Sequence, residues 1–280
     1  MSKGKDMQTD RVLRSHSRKN DQDIVMIQIT DTHLMDKPEA EFVGINPEEN
    51  FHAVMEDIQT RYKNIDLIIH TGDLAQAAFP ETYDRYIAYM RQFGVDFYHI
   101  PGNHDNLNFF PFHTPEPQPT VIELGKWRIV LLNSSVNGRT DGRIQEAQLV
   151  QLQQTLEQLQ DCFVIIACHH NPFEMNSKWL DQHKLKNADE LKAVLQPFSN
   201  IKAVLHGHVH QESYNEWNGV KFISTPATCA QFKPLSQEFE FDKIAPGYRC
   251  LHLKNNGEFE TVVHRLNHFK VIINEEISGY

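Results

Sequence analysis

No stretch of the 280-residue chain approaches the roughly 20 consecutive apolar residues of a membrane-spanning helix, and the N-terminus lacks the apolar stretch of a secretory signal. A soluble, cytoplasmic protein without a membrane partner is expected. The four cysteines (Cys162, Cys168, Cys229 and Cys250) form no CxxC pair, which argues against a zinc ribbon or thioredoxin-like motif and fits free thiols in a reducing compartment. No Walker-type phosphate loop is present. No long Pro, Gly or Ser linker interrupts residues 24 to 270, so one domain is expected there, with tail segments at 1–22 and 271–280. Positive charge is also scarce. The formal net charge is −10, yet the first twenty residues hold six Lys or Arg against two acids, leaving about −14 on the rest. So acidic a body repels a long nucleic acid backbone, and no nucleic acid partner is expected. It can still take a phosphate ester where bound cations reverse the local sign.

From residue 24 onward the chain repeats one arrangement: a short β-branched or aliphatic run, then a turn carrying His, Asp or Asn. The runs at 24–30 and 66–70 lead into Asp31-Thr32-His33 and Gly72-Asp73. Those at 95–100, 163–167 and 201–205 lead into Gly102-Asn103-His104-Asp105, His169-His170 and Gly207-His208-Val209-His210. Runs this short fit buried strands, since buried helices need about 10 or more residues. Helical patterns lie between several of them. Leu149, Leu152, Leu156 and Leu159 share one face over 145–160, and 47–62 opens with Pro47-Glu48-Glu49, a favourable first turn. Such alternation predicts an α/β sheet, with ligands gathered beyond the carboxyl ends of the strands. All five polar clusters sit there. Residues 220–224, 248–254 and 259–264 read as strands without intervening helices, which adds an antiparallel part.

Taken singly, each cluster reads more simply as a cap, a turn residue or a satisfied core group. Five strand ends that each supply residue types able to bind divalent metals are a different matter, and a structural account leaves the coincidence unexplained. Carboxylates, imidazoles and one amide oxygen, with no thiolate, suit Fe, Mn, Zn or Co. Two such ions can clamp a phosphate and lower the pKa of a bound water, which is phosphoester hydrolysis chemistry.

The order D-x-H, G-D, G-N-H-D, H and G-H-x-H resembles the calcineurin-like metallophosphoesterase superfamily. The resemblance implies a four-layered αββα sandwich, two mixed β-sheets flanked by helices. It also implies one metal on Asp31, His33, Asp73 and His210, and a second on Asp73, Asn103, His169 and His208, with Asp73 as the bridge. Fe or Mn is expected, and Zn and Co remain open. A narrower resemblance, to the bacterial class III 3′,5′-cyclic AMP phosphodiesterases, rests on W-L-D-Q-H at 179–183, K-N-A-D-E at 186–190, residues 225–234, A-P-G-Y-R at 245–249 and V-H-R at 263–265. It covers the chain from about residue 24 to the end and implies that cyclic AMP is opened to 5′-AMP by a hydroxide bridging the two metals. His104 is the candidate to contact the phosphate and protonate the leaving oxygen, oriented by Asp105. His33, Asp73, Asn103 and His210 would touch the substrate as well.

Adjacent side chains on an extended segment point opposite ways, so of His169 and His170 only His169 is expected at a metal. His70, His170 and His206 read as core or supporting hydrogen-bond partners. The stretch from Ser134 to Arg143 reads as a surface loop first and a substrate loop second. Trp179 and Phe232 read as packing residues or as part of a substrate wall. Three competing functions remain: an esterase for 2′,3′-cyclic nucleotides or small phosphate esters, a nuclease, and a metal-bearing interaction module without turnover.

Overall fold

The computed structural model of the protein describes residues 12–14, 23–111 and 118–267. In chain order the strands and helices are β1 (Val12–Arg14), β2 (Ile24–Ile29), α1 (Pro47–Arg61), β3 (Leu67–His70), α2 (Pro80–Met90), β4 (Phe97–His99), β5 (Thr120–Leu124), β6 (Trp127–Leu131) and α3 (Glu146–Gln158). They continue with β7 (Phe163–Ala167), α4 (Ala188–Leu195), β8 (Ile201–His206), β9 (Ser213–Trp217), β10 (Val220–Ser224), β11 (Gln231–Phe232), β12 (Phe241–Asp242), β13 (Gly247–Leu253) and β14 (Phe259–Arg265). One sheet has the order β14-β13-β2-β3-β4, the other β1-β5-β6-β7-β8-β10-β9, and β11 pairs with β12 apart from both. β2, β3 and β4 are parallel, as are β6, β7, β8 and β10. The antiparallel part is supplied by β13 against β2, β14 against β13, β9 against β10 and β5 against β6.

Strand alternation explains why two sheets stack with helices outside. On β2 and β3 the side chains of Met26, Leu67 and Ile69 meet Ile129, Leu131, Ile165, Ala203 and Leu205 of the second sheet. Their alternates Ile27, Ile29 and Ile68 pack instead on Phe51, Val54, Met55 and Ile58 of α1 and on Tyr86 and Met90 of α2. The second sheet does the same outward, placing Val130, Val164, Ile166 and Val204 against Leu149, Leu152 and Leu156 of α3 and Leu191 and Leu195 of α4. Both faces of each sheet are therefore largely apolar at its centre, and the central strands β2, β3, β7 and β8 read as apolar runs interrupted only at Gln28 of β2 and Lys202 and His206 of β8, with His70 at the end of β3. Four layers enclose three apolar seams. Among the described residues no helix is long and apolar enough to cross a membrane.

The helix starts follow from local chemistry. Asn46 caps α1 by accepting the N–H of Glu49 at 3.1 Å, Pro47 opens the first turn, and Glu48 and Glu49 lie at the positive end of the helix dipole. The apolar spacing also predicts α3, which ends at Gln158. It does not predict α2 or α4, nor β5, β6 and β9. The buried face of α2 is formed by Tyr83, Tyr86, Ile87 and Met90, largely aromatic where an aliphatic stripe is the usual signal. One difference lies in the tail segment at 1–22, since Val12–Arg14 pair in parallel with Val121–Glu123. The edge of β5 offers unpaired backbone groups, and three residues of any composition can add to it. The rest of that segment and the tail at 271–280 lie outside the described residues.

His99, at the end of β4, shows what the dry seams do to a titratable group. Its ring is buried among Tyr86, Phe97 and Phe110, and its Nε2–H donates to the Pro111 carbonyl at 3.1 Å. Burial lowers the imidazole to about 4, against a partial upward pull from that carbonyl. Unfolded, the ring titrates near 6.5, so its share of stability is complete above about pH 6.5 and is lost as pH falls towards about 4. His99→Gln, which keeps an N–H donor but does not titrate, should lose roughly 2 kcal/mol less stability than the parent between about pH 7.5 and pH 5. Urea unfolding at the two pH values measures the difference, and parallel losses would exclude His99 as a source of acid sensitivity.

Candidate metal centre

Five strands of the two sheets deliver their next residues to one place. Asp31 and His33 follow β2, Asp73 follows β3, Asn103 follows β4, His169 follows β7, and His208 and His210 follow β8. The turns are held to one another by backbone bonds: Asp31 N–H to Gly72 C=O, His33 N–H to Asp73 C=O and Gly207 N–H to His169 C=O, at 2.9–3.1 Å. The backbone also carries strain. Asp31, His33, Asp73, His208 and His210 have φ of 52°, 50°, 54°, 69° and 48°, a left-handed conformation uncommon outside glycine. Five of the seven candidate ligands are thus held in a conformation that tends to persist where a site over-determines it.

The imidazoles are prepared as lone-pair donors. Nδ1 of His33 donates to Gln76 Oε1 at 2.9 Å, Nδ1 of His169 to the Thr71 carbonyl at 2.7 Å, and Nδ1 of His210 to the Ala230 carbonyl at 2.7 Å. Each acceptor is an amide or peptide oxygen, so a proton sits on Nδ1 and Nε2 is aimed inward, the atom a cation would take. Nε2 of His33 and Nε2 of His210 then face each other at 3.2 Å, with the Asp31 carboxylate 3.4 Å from the latter. Two lone pairs this close to a carboxylate repel unless a cation lies among them.

Asp73 sits between the two halves. Its Oδ1 accepts the His104 N–H at 2.8 Å, while its Oδ2, without a hydrogen-bond donor, lies 3.2 Å from His169 Nε2 and 3.8 Å from His33 Nε2. The Asn103 amide oxygen lies 3.1 Å from His169 Nε2. His208 is buried with no partner for either ring nitrogen, and its N–H is held by the Asp31 carboxylate at 3.1 and 3.2 Å. Each such orphan costs about 1–3 kcal/mol when dry. Ligand atoms of Asp31, His33 and His210 lie within 4.8 Å of one another, as do those of Asp31, Asp73 and His169. Mixed oxygen and nitrogen donors, orphaned lone pairs and two carboxylates fit two divalent or trivalent ions.

The electrostatics agree. Burial lowers His33 and His208 well below the usual imidazole range, the neutral form a metal requires. Burial also works against charge on His169, but the Asp73 carboxylate overcomes it and holds the ring up at about 9. Burial opposes ionisation of Asp73 in turn, and His169 and His104 hold its carboxyl well below the usual range. A carboxylate here demands positive charge beside it. His104 stands at the mouth, half-buried, its ring 5.0 Å from that of His33 and edge-on to it. Burial lowers it and Asp73 partly restores it.

Three expectations need correction. Asp105 does not turn its carboxylate to His104: its oxygens accept the N–H groups of Leu74, Ala75 and Gly102 and the Tyr83 hydroxyl at 2.9–3.1 Å. Burial and repulsion from Asp73 push it up to about 7 while the N–H groups pull the other way, and four donors are the surroundings of an ionised carboxylate. His170 is not turned away from His169. β7 has ended at Ala167, so strand alternation no longer applies, and ligand atoms of His169, His170 and His208 lie within 4.8 Å of one another. The stretch after β6 is not simply surface either, since Ser134 is fully buried and its Oγ accepts the N–H groups of His169 and His170 at 3.2 Å. With both lone pairs so used, the Ser134 hydroxyl proton is left for His170 Nδ1 at 2.8 Å.

Among the other histidines, His70 joins the first two turns, accepting the Gly72 N–H on Nδ1 and meeting Thr32 Oγ1 through Nε2 at 3.0 Å. His206 Nδ1 lies 3.2 Å from the Gly207 carbonyl. Phe232 is buried and stacks on the His210 ring at 4.0 Å, with Trp179 behind it and tied to Ser236, so both are packing residues of the wall. Gln76, Ser134 and Tyr83 are supporting residues that motif spacing does not reveal. For Ser134 a signal exists: the apolar run 129–132 ends in Asn133-Ser134-Ser135, a sixth instance of the same arrangement. A surface cavity of about 640 Å³ is lined by Glu39, Glu41, Glu48 and Glu49 among others and contains none of the seven residues. Its acidic wall suits no phosphate.

The chain matches the family described as calcineurin-like phosphoesterase over residues 24–212. It is 39% identical to a Haemophilus influenzae protein named 3′,5′-cyclic adenosine monophosphate phosphodiesterase CpdA, over 92% of this chain and 95% of that one. It is likewise 39% identical to the Escherichia coli protein of that name, over 86% and 89%. Among solved structures, a dimetal phosphatase from Danio rerio superposes with a TM-score of 0.61 at 16% identity, covering 86% of this chain and 99% of that one, which shows a shared fold.

Gly102 tests the packing of the centre, because a Cβ there would fall on the Asp73 carboxylate and backbone nitrogen. Gly102→Ala should weaken Mn²⁺ binding by about 10- to 100-fold, the range seen when groups supporting a ligand are disturbed. Equilibrium dialysis reads this directly, and parental affinity would mean that Asp73 is not held against this turn.

Proposed function

The chain belongs to the calcineurin-like phosphoesterase family, and from that premise we propose that it hydrolyses 3′,5′-cyclic AMP to 5′-AMP in the cytoplasm, using two ions held by the seven residues at the strand ends. The observation that supports the two-ion reading is the convergence of His169 Nε2 and His33 Nε2 on one buried carboxylate oxygen, Asp73 Oδ2, at 3.2 and 3.8 Å. Asp31, His33, Asp73 and His210 would hold one ion, and Asp73, Asn103, His169 and His208 the other. Fe or Mn suits this thiolate-free set, as do Zn and Co. Bound there, the ions supply the positive charge that accepts a phosphate on an acidic body and make water nucleophilic near neutral pH.

The chain's own groups then have defined tasks. His33, Asn103 and His210 border the space where the phosphate would sit, and Asp73 fixes the His104 backbone at its edge. In the proposed reaction, water oxygen bonds to phosphorus, the bond from phosphorus to the 3′ oxygen breaks, and that oxygen takes a proton from the imidazolium form of His104, which solvent then reprotonates. The proton released by the water goes to solvent, and 5′-AMP leaves. Support for cyclic AMP as substrate comes from the names and coverage of the relatives above.

Steady-state hydrolysis of 3′,5′-cyclic AMP by Fe- or Mn-loaded protein, with the product identified, tests the reading. Metal-dependent 5′-AMP should form, and Asp73→Ala should abolish it. Turnover of 2′,3′-cyclic nucleotides or simple diesters alone would replace the substrate and keep the chemistry. His104→Ala should retain its metal and lose about 10²- to 10⁴-fold in kcat, the usual contribution of a positioned proton donor. Parental turnover in that variant removes His104 from the reaction.

A further inference from the structure

Asp105 is the joint between two turns of the centre. It takes the N–H groups of Leu74 and Ala75, which follow Asp73, and that of Gly102, which precedes Asn103. One more residue completes this joint, and it lies outside all five motifs. Tyr83, buried in the first turns of α2, donates its hydroxyl to Asp105 Oδ1 at 3.0 Å and accepts the Asn106 N–H at 3.0 Å. The phenol has one proton to give, and here it both gives that proton and accepts one in return on the segment carrying His104. Burial and the Asp105 charge push it far above the usual tyrosine range, so it stays a donor. Its ring is fixed edge-on against Phe110 at 5.6 Å, leaving the hydroxyl little freedom.

We infer that Tyr83 is a positioning residue for catalysis, acting through Asp105 and the Asn106 backbone to hold His104 against the Asp73 carboxylate. The inference rests on the phosphoesterase chemistry proposed above and not on which ester is the substrate. Tyr83 touches neither the candidate ligands nor the space for the phosphate; it sets the angle at which the His104 turn leaves β4. Tyr83→Phe removes one oxygen, keeps the ring in its packing and leaves the Asn106 N–H without its acceptor.

The test compares the parent, Tyr83→Phe, His104→Ala and the double variant, all loaded with Mn, on a chromogenic aryl phosphodiester and on 3′,5′-cyclic AMP, with Mn content determined for each. Tyr83→Phe should lower kcat about tenfold, the loss from one buried polar group left unpaired, with KM within about twofold and Mn content unchanged. In the His104→Ala background the same substitution should have no further effect, because residues that act through one another are not additive. Unchanged kcat in Tyr83→Phe, loss of Mn with the substitution, or additive losses in the double variant would each overturn the assignment. If the aryl diester is turned over and cyclic AMP is not, the substrate reading fails while the comparison on the aryl diester still decides the role of Tyr83.

Discussion

Two buried carboxylates and the bare nitrogens of several imidazoles are forced into a space a few ångströms across, and the end of the molecule that holds them is organised around that crowding. Left alone, Asp31 and Asp73 repel each other, and so do Nε2 of His33 and His210, 3.2 Å apart. The chain compensates only in part. The raised His169 proton answers Asp73, and the His208 N–H answers Asp31. Orphaned nitrogens on His208 remain, and a cation would supply what they lack. Stability is given up here for chemistry, since a site that satisfied itself would have no use for a metal.

Such a cluster needs a frame that does not yield. Two sheets packed face to face bring the carboxyl ends of β2, β3 and β4 opposite those of β7 and β8, and the polar floor beneath the cluster ties them. Gln28 of β2 donates to Thr71 Oγ1 and to the His206 carbonyl, and accepts the Thr225 hydroxyl. Arg249 of β13, buried and lowered by that burial to about 10, reaches Ser224, Thr225 and Thr261 at once. A buried network in which each of these groups has a partner fixes the spacing of the two sheets. Above that floor the nearby histidines become fasteners, with His70 joining the first two turns and the Ser134 hydroxyl joining the fourth to the end of β6.

The five strand-end clusters are legible in the sequence because both layers of their logic are local, whereas the choice of seven ligands among them comes from the family resemblance. A buried strand announces itself as a short apolar run, and the residue types after it announce metal chemistry. The sandwich follows from the same runs together with the mixed second half. What local pattern could not supply is direction. Asp105 and His104 are neighbours in sequence, yet the turn sends the Asp105 carboxylate back towards Leu74 and Ala75. His169 and His170 share a side because the strand has already ended. Tyr83 carries no signal at all, since its role depends on α2 crossing over a turn some twenty residues further along. The left-handed conformations of Asp31, His33, Asp73, His208 and His210 are equally silent in sequence, because they are imposed by neighbouring turns and not by residue type.

Anomalous diffraction from crystals of the Mn-loaded protein locates ions without reference to activity. Two peaks per chain are expected, about 3.5–4 Å apart, with an Asp73 oxygen between them and the other six side chains divided three and three. A single peak, or a pair that leaves Asp73 on one side, would contradict the two-ion reading.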